Sequence, residues 1–154
     1  MTDAVRAAVI DRARAWIDTP YRHQASVIHA GCDCLGLVRG IWRDLYGPEP
    51  EIPPNYSPDW AEAQGEETLL NAARRWLSPV DRPQPGDVLL FRLRPDVPCK
   101  HVGILETPDT IIHAYWGRSV VQSWLDPFWR RRIAFSFSFP DRGAVRAGSN
   151  PPPP

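Results

Sequence analysis

The chain has 154 residues, 43% of them apolar, and its 18 basic and 18 acidic side chains cancel. That length and composition fit one globular domain with a substantial core, and they exclude wholesale disorder. Zero net charge excludes a broad electrostatic pull toward nucleic acid or an anionic membrane, and no stretch approaches a membrane span.

Residues 3–17 read as an amphipathic helix. Val5, Ala8, Val9, Trp16 and Ile17 fall near one stripe, Asp3 caps the start, and Thr19-Pro20 ends it. Arg6, Asp11, Arg12 and Arg14 interrupt any apolar run of the kind a secretory signal needs, so the expectation is a chain made in the cytoplasm. Residues 21–31 read as a loop. A second helix over 34–46 carries Leu35, Val38, Ile41, Trp42 and Leu45 on its core face, with Asp33 as N-cap and Gly47-Pro48 as the stop. Residues 48–58 form a Pro-rich loop. Ser57-Pro58-Asp59 then starts a helical region, broken at Gly65, that runs to residue 77 and buries Leu69, Leu70, Ala73, Trp76 and Leu77.

From Pro85 the periodicity changes, and strands are expected at 88–93, 101–106, 111–116, 120–124 and 133–139. The last alternates Ile133, Phe135, Phe137 and Phe139 with Ala134, Ser136 and Ser138. Arg130, Arg131 and Arg132 read as solvated residues near a strand start. Helices first and strands afterwards argue for an α+β fold, with N-terminal helices packed on an antiparallel sheet. The domain is expected over 1–142, followed by a Pro-rich disordered tail over 143–154.

Cys34 sits in the first turn of the second helix, where free N–H groups and the helix dipole favour a thiolate. Asp33 beside it opposes that, unless its carboxylate points elsewhere. A thiolate nucleophile needs a base, and His101 and His113 lie on consecutive strands, separated by an even number of residues. With an odd count in the hairpin loop both point to one face, and one can act as base while the other orients it. A metal reading competes: Cys32, Cys34, Cys99 and His101, with His113 as a fifth ligand, offer zinc donors. Each pair is separated by a single residue, against the two to four of structural zinc sites, so no metal is expected.

Five segments stand in a telling order. They are Thr19-Pro20-Tyr21-Arg22, Cys32-Asp33-Cys34-Leu35-Gly36-Leu37-Val38-Arg39, Pro85-Gly86-Asp87-Val88-Leu89-Leu90-Phe91, His101-Val102-Gly103-Ile104 and Ile112-His113-Ala114. Over residues 10–140 the chain resembles the NlpC/P60 cell-wall peptidases, and within them the phage-tail and gene-transfer-agent branch. The commoner pattern has Ser where this chain has Leu35. The resemblance implies a papain-like α+β fold with Cys34 as nucleophile, His101 as general base and His113 as the residue that orients it. It implies that Tyr21 lines the site and that Asp33 contacts a free amine on the substrate. The implied substrate is the peptidoglycan stem peptide, cut between D-Glu and diaminopimelate without metal or cofactor. The implied partners are tail or baseplate hub proteins, with no nucleic acid and no membrane insertion. A virion-borne enzyme acting in the recipient's periplasm follows from that branch. The rival expectation is a non-catalytic structural module of a tail hub, with zinc held by the Cys/His cluster.

Overall fold

The first helix follows from its spacing. In the computed structural model, which describes residues 3–51 and 67–142, α1 (Asp3–Ala15) buries Val5, Val9 and Ala13 on one stripe. The chain turns at Trp16, which is 2% exposed. Two short strands follow, β1 (Ser26–Val27) and β2 (Gly31–Cys32), paired antiparallel. They lie inside the segment expected to be loop. Two residues per strand are too few to leave a periodic signature.

Helix α2 (Cys34–Tyr46) begins where expected, with Asp33 accepting from the Gly36 N–H, and it ends at Gly47 with φ 90°. Its Gly40 faces α1: a Cβ there would lie 2.1 Å from the Trp16 ring. That missing side chain lets the two helices meet. Helix α3 (Thr68–Trp76) buries Leu69, Leu70 and Ala73, while the expected helix start at Ser57-Pro58-Asp59 and the tail 143–154 lie outside the described residues.

The six-stranded sheet runs in the order β3 (Ser78–Pro79), β8 (Ile133–Ser138), β4 (Val88–Phe91), β5 (His101–Thr107), β6 (Thr110–Ala114), β7 (Val120–Trp124), with every pair antiparallel. The α+β expectation holds. On one face Val88, Leu90, Val102, Ile104, Ile112 and Ala114 join the core that α1, α2 and α3 close. On the other, Leu89, Phe91, Leu105 and Ile111 pack with Leu125 and Trp129. Strand β4 is apolar without a break because both of its faces are covered. Part of that second cover is α4 (Pro127–Arg130), a single turn capped by the Asp126 side chain, which accepts from the Trp129 N–H at 3.1 Å. Sequence alone predicts solvated residues at Arg130, Arg131 and Arg132 and gives no helix, where the structure has one over Pro127–Arg130.

Gly40→Ala is expected to cost about 1–3 kcal/mol through overpacking against Trp16. Chemical denaturation should show a lower midpoint at an unchanged slope.

Candidate active site

A cleft of about 500 Å³ collects Tyr21, Cys34, Lys100, His101, Tyr115 and Trp129 on its walls. Five separate parts of the chain bring them there, Tyr115 following directly on β6. Tyr21 is held beside Cys32 by a β-bridge, Cys34 opens α2, His101 opens β5, and Trp129 sits in α4.

His101 and His113 share a face of the sheet. Nε2 of His101 lies 2.8 Å from Nδ1 of His113, and Nε2 of His113 lies 2.9 Å from Oγ of Ser123. His113 is fully buried. Trp129 packs against both imidazoles, stacked on His101 at 5.3 Å and edge-on to His113 at 5.1 Å between ring centres. Neither Ser123 nor Trp129 was singled out in the sequence. Asp126-Pro127, a cap followed by Pro at the first helical position, was the available signal for Trp129.

Asp33 is placed as a cap and not on the cleft wall. It is 2% exposed. Its Oδ1 accepts from the Gly36 N–H at 2.7 Å and its Oδ2 from the Gln24 N–H at 2.8 Å. Leu35, where the commoner family pattern has Ser, points into a separate apolar groove with Val38, Trp42, Leu69 and Trp76.

The electrostatics revise one expectation. A helix N-terminus favours a thiolate, and the N–H groups of Val102, Leu35 and Cys34 pull the same way. Burial outweighs them and, with the Asp33 carboxylate adding to it, pushes the Cys34 thiol up to about 12. Cys34 therefore rests as S–H, with Sγ 3.7 Å from the Lys100 carbonyl oxygen it can donate to. Burial likewise presses His101 down to about 3, helped by His113, and His113 down to about 4. Both imidazoles rest neutral. Tyr21 stays a phenol, raised above its ordinary range chiefly by burial.

Neutral rings fix the tautomers. Nε2 of His101 is engaged with His113, so Nδ1 is the nitrogen left for the cleft. For Nδ1 to accept a proton, Nε2 must carry one and donate it to Nδ1 of His113. His113 then carries its proton on Nε2 and donates it to Ser123.

The metal reading finds no site: among the described residues no three His, Cys, Asp or Glu side chains converge as metal ligands. Cys32 and Cys99 are buried thiols, raised by burial to about 12 and about 11.

The family model described as NlpC/P60 family matches residues 18–136. The probable endopeptidase NlpC of Escherichia coli (strain K12) is 28% identical over 130 residues, which is 84% of this chain and 75% of that protein. The NlpC/p60 domain of the peptidoglycan hydrolase SagA superposes with a TM-score of 0.62 at 23% identity, covering 87% of this chain and 98% of that one. An NlpC/P60 family protein from Bacillus cereus ATCC 10987 also reaches 0.62, at 20% identity, covering 87% of this chain and 40% of that one.

Two outcomes follow from a protonated resting sulfur. Alkylation of Cys34 by iodoacetamide should climb steadily from about pH 6 to about pH 9 without levelling, since the thiolate is the reactive form. Asp33→Asn keeps a good helix cap while removing the charge that holds the thiol up, so alkylation at a given pH should quicken. An unchanged rate in Asp33→Asn would remove Asp33 from the electrostatics of the sulfur.

Proposed function

This chain belongs to the NlpC/P60 family, and on that footing we propose that it is a cysteine peptidase that hydrolyses peptidoglycan stem peptides. The observation that carries the reading is the ring-to-ring contact of 2.8 Å between His101 and His113, with Cys34 and His101 on the walls of one cleft.

The residues suit a general-base attack from a neutral pair. The S–H of Cys34 turns from the Lys100 carbonyl to Nδ1 of His101, which takes the proton as the sulfur bonds to the scissile carbonyl carbon. The electron pair of the C=O moves onto oxygen. The N–H of Cys34, in the first turn and so without an intrahelical acceptor, donates to that oxyanion, and the Tyr21 hydroxyl is a second donor on the wall. The His101 imidazolium then gives its proton to the departing amine nitrogen as the C–N bond breaks, leaving a thioester on Cys34. Water, deprotonated by Nδ1, releases the acid and restores the thiol. Throughout, Nδ1 of His113 accepts from Nε2–H of His101 and holds the ring in that tautomer.

The bond proposed is the one between D-Glu and diaminopimelate. The enzyme is proposed to ride a phage-like tail or gene transfer agent, docked on a hub protein, and to act in the recipient's periplasm. What supports the tail-borne part is the resemblance of the five segments to that branch, with Leu35 among them. Mass spectrometry of purified particles from producing cells tests it: the chain should co-purify with tail proteins, and its absence from particles overturns the delivery.

Digestion of purified peptidoglycan, with the products identified by mass spectrometry, tests the chemistry. Cys34→Ala should abolish cleavage. His101→Ala should lose most of the 10²–10⁴-fold, roughly, that general-base catalysis supplies. His113→Ala should lose less, and His113→Asn should recover part of it by accepting from the His101 ring. His113→Ala proving the more damaging, with circular dichroism unchanged, would reverse the two roles. Because burial lowers both imidazoles, each keeps its neutral form down to acid pH. The kcat/KM profile should show no acid limb between about pH 5 and about pH 8.

A further inference from the structure

The two imidazoles face each other only because the β5–β6 ladder changes register. Near the turn, Thr107 pairs with Thr110, while further along Leu105 pairs with Ile111 and Ile104 with Ile112. Glu106 is the extra residue on β5 between those pairs, a one-residue β-bulge. Paired residues share a face, and successive residues alternate. Continued unchanged from Thr107–Thr110, the register would set Ile104 opposite His113 and throw the two imidazoles onto opposite faces. With the bulge, Gly103 lies opposite His113, and His101, two residues back, shares its face. Gly103 also leaves the room: a Cβ there would come within 3.2 Å of the His113 Cβ.

The bulge residue is a buried carboxylate, 4% exposed, and its side chain is fully engaged. Oε1 accepts from the Thr110 hydroxyl on β6 at 3.0 Å and from the Gln122 amide on β7. Oε2 accepts from Nε of Arg14 on α1 at 2.7 Å. Those hydrogen bonds hold Glu106 below the ordinary carboxylate range despite its burial. One side chain thus ties β5 to β6, β7 and α1 at the point where the register shifts.

We propose that Glu106 is a positioning residue for the His101–His113 pair. Its carboxylate locks the bulge, the bulge sets the register, and the register brings the rings to 2.8 Å. The catalytic half of this rests on the peptidase reading; the geometric half does not.

The test uses the full chain with ¹⁵N-labelled histidine. Nuclear magnetic resonance should detect a hydrogen-bonded N–H···N signal between the two rings in the parent protein. Glu106→Ala should lose that signal and lower kcat by about 10–100-fold, the scale of a misplaced catalytic group, with KM little changed. Glu106→Gln, which keeps the shape and one acceptor oxygen, should fall between. Asp44→Ala is the control. It removes a carboxylate that bonds Arg12 of the same helix at 3.0 Å, so it should lower stability and leave the ring signal and kcat alone. Retention of both signal and kcat in Glu106→Ala overturns the proposal, and so does an equal loss of them in Asp44→Ala. If Glu106→Ala does not fold, Gln122→Ala and Thr110→Val each remove one donor; a weakened ring signal in either supports the proposal, and an unmoved signal in both overturns it. A parent protein with the ring signal but no hydrolysis would sink the peptidase reading, while the signal in the variants still decides the role of Glu106.

Discussion

Strand β5 has two faces with incompatible duties, and the rest of the molecule is arranged around keeping them apart. Val102 and Ile104 close the core against the helices, while His101 and Leu105 belong to the opposite side. A slip of one residue would trade imidazole for aliphatic side chain in both places at once. The apolar stripe of β5 therefore defends the geometry of the His101–His113 pair as strongly as it defends the core. Helix α2 obeys the same economy. Its buried stripe seats it on the sheet, and its first turn delivers Cys34 to the edge where β5 begins.

The second organising fact is the uncharged state of the cleft's titratable groups. Burial raises the thiol and lowers both imidazoles, so each group is pushed toward its uncharged form. Charge separation in such a place is costly until something compensates it. In the proposed mechanism the compensation would come from the Cys34 N–H and the Tyr21 hydroxyl, and from His113 behind His101. On that reading the cleft keeps its charges for the moment of reaction.

Much of this was legible in the sequence, for local reasons. Asp33 and Gly47 marked the ends of α2 because caps are local chemistry. The strands at 101–107 and 110–114 showed their character in residue type, and the spacing of His101 and His113 allowed a shared face. What decided the matter was the bulge at Glu106, which pairing sets and no single strand announces. Strands β1 and β2 are too short to leave a periodic signal, and for α4 the only local sign is its start at Asp126-Pro127. The charge state of Cys34 is not legible in the sequence, because the helix terminus is visible there and the burial that raises the thiol is not. Pro85-Gly86-Asp87 shows the reverse: its motif value was clear, its physical work was not. Gly86 has φ 100° and backs onto Arg6, where a Cβ would come within 2.7 Å. Asp87 is fully buried, accepting from Ser138 and from the Gln84 N–H at 2.8 Å each.

The three thiols also bear on chemical durability. Peroxide and disulfides react with thiolates, and the oxidation ladder beyond sulfenic acid is irreversible. Cys32 and Cys99 are walled off by packing. Cys34 faces the cleft but holds its proton, so its intrinsic reactivity toward oxidants is suppressed in the resting protein. On the proposed peptidase reading, a sulfur that gives up its proton only to a neighbouring base as it attacks resists oxidation while the cleft is empty.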